Sequence, residues 1–88
     1  MQITFKLFAT LTEYLPPEVD GRARVGHQVE LDVPEGAAVQ EIIDRFSLPK
    51  DLVHLVLVNG KYIAPAQRAT HALRAGDALA LWPPIAGG

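Results

Sequence analysis

Cysteine is absent from the 88-residue chain. That absence removes disulfides, thiolate nucleophiles and cysteine-ligated zinc sites together. Long apolar runs are also missing. The longest, Leu52 to Val58, is interrupted by His54 and is far too short to span a bilayer. No signal-peptide core precedes the alternating residues Met1-Gln2-Ile3-Thr4. A cytoplasmic protein without membrane contact is therefore expected. Charge of one sign never clusters. Net charge is −2, and Lys6, Arg22, Arg24, Arg45, Lys50, Lys61, Arg68 and Arg74 are scattered. Neutralising phosphates needs a gathered basic face, so no nucleic-acid partner is expected. A phosphate-binding glycine loop is lacking as well. Gly60-Lys61 is followed by Tyr62, and Leu55 stands where the first glycine of such a loop belongs. No cofactor bound by this chain is expected.

Side-chain chemistry is thin throughout. His27, His54 and His71 share no helical or adjacent spacing, and convergent ligands are what a metal site needs, so none is expected. Glu41 and Asp44 read as a solvated helix face. No Ser/His/Asp triad can be argued from spacing, because triads are defined by geometry.

The chain does have the composition of one small globular domain, 49% apolar and 20% charged. A chain of this length buries only roughly 60–65% of its unfolded surface, so the core is thin. Ile3, Phe5 and Leu7 alternate with polar neighbours, which predicts a half-buried strand. Phe8 to Leu15 is apolar but irregular and stops at Pro16-Pro17, which predicts a short helical turn. Glu18 to His27, with Asp20-Gly21 and Gly26, reads as a loop or hairpin tip. Val29, Leu31 and Val33 alternate as a second strand.

Val39, Ile42, Ile43 and Phe46 follow the spacing of one helix face, and Pro49 closes the segment. Its start is poorly marked, with Ala37 or Ala38 at the capping position. Leu52 to Val58 is apolar on both faces and reads as a central strand. Asn59-Gly60 signals a tight hairpin, Tyr62-Ile63 begins the return, and Pro65 limits it. Residues 66–75 connect to a turn at Arg74-Ala75-Gly76-Asp77, with Gly76 at positive φ. Ala78 to Trp82 is the last strand, with Leu79 and Leu81 facing one way and Ala80 and Trp82 the other. Strand, strand, helix, strand, short strand, strand predicts an α+β chain of β-grasp type. Its mixed sheet has about four to five strands and one main helix. The first two strands pair as a hairpin and the last lies parallel to the first. Pro83-Pro84 then falls at the sheet edge.

The final residues, Pro83-Pro84-Ile85-Ala86-Gly87-Gly88, contain no chemically reactive side chain. Small residues often collect at chain ends without purpose. Two glycines directly after a stiff Pro-Pro are harder to dismiss. Glycine without a Cβ can slide extended into a narrow slot on another protein. What it presents there is the carboxylate of Gly88. The expected division is a domain over 1–84 and a flexible tail over 85–88. Trp82, Pro83, Pro84, Ile85, Ala86 and Gly87 form the candidate partner-binding surface, since aromatics dominate interface hot spots. Trp82 could instead pack under a loop. Val56 and Val58 could share its face, but core packing is the expected role for them.

Several segments together resemble the MoaD/ThiS family of ubiquitin-like sulfur carriers. They are Val33-Pro34-Glu35-Gly36-Ala37-Ala38-Val39, Leu57-Val58-Asn59-Gly60, Leu73-Arg74-Ala75-Gly76-Asp77 and Trp82-Pro83-Pro84-Ile85-Ala86-Gly87-Gly88, in the family's order. The Pro-Pro-x-x-Gly-Gly end is more similar to the MoaD branch, the small subunit of molybdopterin synthase. Two departures are Ala37 and Ala38, where a Thr or Ser cap is common, and a long loop from Pro16 to Gly26.

The resemblance implies a carrier subunit with no catalytic side chain of its own. A ubiquitin-activating-like enzyme uses ATP to adenylate the Gly88 carboxylate, and a sulfur nucleophile displaces AMP. The resulting thiocarboxylate then delivers sulfur inside a second partner, the large catalytic subunit of a synthase, for molybdopterin. Other readings remain open: a carrier for thiamine, cysteine or tRNA thiolation, a modifier joined to lysines through Gly88, or a β-grasp module with an inert tail.

Overall fold

The alternation Ile3, Phe5, Leu7 places three side chains on one face of strand β1 (Gln2–Leu7), and all three are fully buried. The structure, a computed structural model, describes residues 1–84. Along the chain follow β2 (Glu18–Val19), β3 (Arg22–Ala23), β4 (Gln28–Asp32), helix α1 (Val39–Arg45), β5 (Leu55–Val58), β6 (Lys61–Tyr62) and β7 (Ala78–Trp82). Five strands form one mixed sheet in the order β4-β1-β7-β5-β6, and β2 and β3 form a separate hairpin. β1 pairs antiparallel with β4 and parallel with β7. This is the β-grasp arrangement, with the last strand beside the first. Phe8 to Leu15 contains the expected helical turn, a 3-10 turn over Ala9–Tyr14.

The register lines up the buried face. Val29 lies opposite Phe5, Phe5 opposite Leu79, and Leu79 opposite Val58. A second row runs from Leu7 through Leu81 to Val56. α1 covers this face with Val39, Ile42 and Ile43, and the Phe46 ring stacks on Phe5 at 4.9 Å between centroids. Each such side chain contributes about 1.5–3 kcal/mol on burial. Val56 and Val58 thus belong to the core.

The missing helix cap is supplied from elsewhere. Ala38 makes no side-chain cap. Instead the Val39 N–H donates to the His71 carbonyl at 3.1 Å, and the Gln40 N–H donates to the Arg68 carbonyl at 2.9 Å. Two backbone carbonyls of the 68–71 segment thereby satisfy amides that a Ser or Thr would otherwise serve.

Two expectations need correction. The strand read over Leu52 to Val58 begins only at Leu55. Lys50–Leu52 is a 3-10 turn started by Pro49, and the Val53 and His54 carbonyls accept from the Arg68 guanidinium instead of a neighbouring strand. β5 lies inside the sheet, bonded to β7 on one side and β6 on the other, but β7 occupies the middle of the order. Pro83-Pro84 therefore follows the end of the central strand and does not lie along a sheet edge. The hairpin turns behave as read: Asn59 and Gly60 have φ of 52° and 81°, the two positive values a type I′ turn requires.

The 18–27 segment is the β2–β3 hairpin, tied down by charge. Asp20 accepts from the Arg45 guanidinium at 2.8 Å and from the Asp32 N–H at 3.2 Å, and Arg22 pairs with Asp32 at 2.9 Å. The Asp32 N–H, followed by Arg45, holds the Asp20 carboxyl below its ordinary range.

Two outcomes follow for stability. Phe5→Ala lowers the unfolding free energy by about 3–5 kcal/mol in urea titrations, since it opens the middle of the core. Asp20 contributes stability that is whole above the unfolded carboxylate pKa and is lost as pH falls through its lower folded value. Asp20→Asn is accordingly less stable than the parent at neutral pH, and the gap closes on acidification. A constant gap across an acid series of urea midpoints sinks this assignment.

Candidate functional site

The pleat that buries Leu79 and Leu81 sends Trp82 to the opposite face of the sheet. There Trp82 lies opposite Leu55, and Ala80 lies between Lys6 on one side and Leu57 on the other. Leu57 in turn pairs with Tyr62. Leu55, Leu57 and Trp82 are half-buried, and Tyr62 is 54% exposed. Helix α1 covers only the other face. The result is an apolar surface spread over β7, β5 and β6. Toward β4 the same face turns polar, with Thr4 donating to Glu30 at 2.8 Å.

Trp82 is half-buried against Phe8, in the connection that follows β1. Its ring lies flat on Phe8, with centroids 4.2 Å apart and planes 5° from parallel. Phe8 in turn meets the His27 ring at 4.4 Å. Three rings thus stand in a row where β7 ends. Offset stacking of this kind adds about 0.5–1.5 kcal/mol per pair beyond area burial. The Nδ1 of His27 is buried and has no hydrogen-bond partner among the described residues.

The end of β7 is held on both sides. The Phe8 N–H donates to the Leu81 carbonyl at 3.1 Å, and the His54 N–H donates to the Trp82 carbonyl at 3.0 Å. Pro83 is half-buried and Pro84 exposed. Ile85, Ala86, Gly87 and Gly88 lie outside the described residues. The structure therefore brings Trp82, Pro83 and Pro84 to one place.

It adds Phe8, His27, Leu55, Leu57 and Tyr62, which sequence reasoning missed. Extending the β1 alternation by one residue would have assigned Phe8 to the outer face. Taking Leu52–Val58 as buried on both sides hid Leu55 and Leu57. Among the described residues no three His, Asp or Glu side chains converge on a metal-sized site, and no helix is long and apolar enough to cross a membrane.

A mixed five-stranded sheet grasping one helix, with its last strand running into the Gly-Gly segment, defines a ubiquitin-like β-grasp protein. The family model described as the ThiS family matches residues 6–88, and the chain belongs to that family. It thus stands among the MoaD/ThiS group of ubiquitin-like sulfur carriers and modifiers. Among curated proteins no match is found.

Solved structures are similar over nearly the whole chain. Small archaeal modifier protein 1 from Haloferax volcanii is 29% identical with a TM-score of 0.64, over 96% of this chain and 98% of its own. The Haloferax volcanii HVO 2177 protein is 25% identical with a TM-score of 0.73, over 100% of this chain and 87% of its own. A protein described as molybdopterin converting factor, subunit 1, from Pyrococcus furiosus is 20% identical with a TM-score of 0.66, over 96% and 98%. The last shares the fold.

Trp82 is the single tryptophan of the chain, so its emission reports on the tail base alone. Phe8→Ala uncovers one face of the indole. The expected result is stronger acrylamide quenching with the circular dichroism of the sheet retained. Unchanged quenching in a folded variant refutes the stack.

Proposed function

We propose that this chain is a sulfur carrier whose reactive group is the Gly88 carboxylate. The observation that carries the reading is the exit of the tail. It leaves the central strand of the sheet, from a point pinned by hydrogen bonds on both sides, beside an uncovered apolar face. A rigid base with an adjoining docking surface suits delivery of a slender segment into another protein's active site. Family membership supports the same reading.

The chemistry belongs to partners. A ubiquitin-activating-like enzyme binds ATP, and a Gly88 carboxylate oxygen attacks the α-phosphorus. Pyrophosphate leaves, and the product is a mixed anhydride of Gly88 with AMP. Hydrosulfide then attacks the Gly88 carbonyl carbon and AMP departs, which leaves Gly88 as a thiocarboxylate; a persulfide donor instead forms an acyl disulfide, whose S–S bond a second thiol attacks, releasing the thiocarboxylate and leaving a disulfide on the donor. In a second partner, the large subunit of a synthase, that sulfur attacks the acceptor and displaces a leaving group from it, and water then cleaves the Gly88 acyl–sulfur bond, which returns the Gly88 carboxylate and leaves the sulfur on the acceptor. The residues of this chain hold and present: Trp82, Leu55, Leu57 and Tyr62 supply the docking surface, Pro83, Pro84, Ile85 and Ala86 span to the active site, and Gly87 and Gly88 fit its narrowest part. Pro83-Pro84 favours the branch that serves molybdopterin, and the protein acts in the cytoplasm.

A modifier role is a second reading, favoured by the likeness to small archaeal modifier protein 1. It uses the same adenylate with a lysine amine in place of sulfur. Heavier protein adducts in cells, lost when Gly88 is removed, distinguish it.

The first test is the intact mass after incubation with ATP, a sulfur source and the host's activating enzyme. The expected gain matches exchange of one oxygen for sulfur, and disappears when Gly88 is deleted or one residue is appended after it. No gain, with the enzyme active on a known carrier, ends the sulfur reading. Leu57→Asp places a charge in the apolar face. It is expected to weaken binding to the activating enzyme by about tenfold or more, with an unfolding midpoint close to that of the parent.

A further inference from the structure

We infer that Arg68 is a positioning residue for the tail base, acting through the backbone of Val53 and His54. The inference rests on the sulfur-carrier reading above. Arg68 is 8% exposed and is the one buried polar or charged residue among the described residues. Both ion pairs among those residues involve other arginines, so no carboxylate there accounts for the guanidinium. Its two terminal nitrogens are spent on main chain: Nη1 donates to the Val53 carbonyl at 3.3 Å and Nη2 to the His54 carbonyl at 3.2 Å. His54 passes the constraint on, because its own N–H donates to the Trp82 carbonyl at 3.0 Å. That bond joins the last residue of β7, directly before Pro83.

The other end of Arg68 is equally fixed. Its carbonyl accepts the Gln40 N–H at the start of α1, and its N–H reaches the Pro65 carbonyl. One residue therefore links the helix start to the strand end from which the tail departs. The fork matters. A guanidinium addresses two neighbouring carbonyls at once in a fixed plane, which a lysine ammonium on a flexible stem does not.

Val53 and Arg68 also line a cleft of about 590 Å³ beside α1. Water entering there can satisfy the two carbonyls once the guanidinium is gone. The fold then survives, but the 53–54 segment is no longer held. The docking face on β5, β6 and β7 is left intact. What changes is the direction in which residues beyond Trp82 leave the sheet.

The experiment uses the full chain with its host's activating enzyme and compares the parent, Arg68→Met and Arg68→Lys. Four quantities are read: the unfolding midpoint, hydrogen exchange at the His54 amide, the Kd for the enzyme, and kcat for adenylation at saturation. The expected pattern for Arg68→Met is a folded protein with faster His54 exchange, a Kd within about twofold of the parent, and kcat lower by about tenfold to a hundredfold, the scale of an ångström-level misplacement. Arg68→Lys recovers little of the kcat. A parent-like kcat in folded Arg68→Met overturns the inference, and so does a loss shared equally by Kd and kcat. If Arg68→Met fails to fold, Arg68→Lys is judged on the same four quantities. A parent protein that is never adenylated defeats the carrier reading itself, and the His54 exchange data separate that failure from this one.

Discussion

Everything at the working end of this molecule depends on β7 being bonded to two neighbours. β1 runs parallel on one side and β5 antiparallel on the other. A strand held on both edges cannot slip by one residue without moving Leu79 and Leu81 out of the core and Ala80 and Trp82 into it. The cost of that exchange fixes three things together. Trp82 must face away from α1, it must meet Phe8, and the chain must leave the sheet at Pro83. The tail base is therefore set by core packing.

Size explains the second face. Among the described residues one seven-residue helix is the only α-helix, and it covers one side of a five-stranded sheet. Among the described residues there is no second α-helix to cover the other side. That side is divided. Near β4 it carries Thr4, Lys6, Gln28 and Glu30, which tolerate water. Near β5 and β6 it carries Leu55, Leu57, Tyr62 and Trp82. Apolar surface gathered on one half of a face, next to the departing chain, is what a docking partner covers.

The parts legible in the sequence were those governed by short-range rules. Alternation marked β1 and β4, the i, i+3, i+4, i+7 spacing marked α1, and Asn59-Gly60 marked its turn. Topology followed, because a first and last strand around one helix leave few arrangements. What escaped depended on contacts distant in sequence. The α1 cap comes from the Arg68 and His71 carbonyls, some thirty residues downstream, and no local pattern announces it. The late start of β5 has the same cause: Arg68 claims the Val53 and His54 carbonyls. Leu55 and Leu57 were misjudged because apolar residues on both faces of a strand suggest burial on both sides. Here the side turned away from α1 is left half-exposed. Trp82, Pro83 and Pro84 were singled out from the strand alternation and the apolar run into the tail, while the Phe8 ring on Trp82, and His27 beyond it, depend on the pairing of β1 with β7.

Proline completes the arrangement. The His54 N–H closes the ladder on the Trp82 carbonyl, and the next residue has no N–H to offer. Pro84 has none either. A strand continued past Trp82 would draw the following residues into the sheet beside β1 or β5, and the glycines would be spent as ladder partners. Two successive prolines forbid that continuation, since each lacks the donor and each fixes φ near −65°. Sheet order therefore has to stop at Trp82. The two-sided pairing of β7 ends one peptide bond before the first proline. This junction lets a rigid body aim a segment whose only chemistry is its backbone carboxylate. Under the carrier reading proposed above, activation and transfer act on Gly88 inside partners, and the domain serves to bring that residue to them.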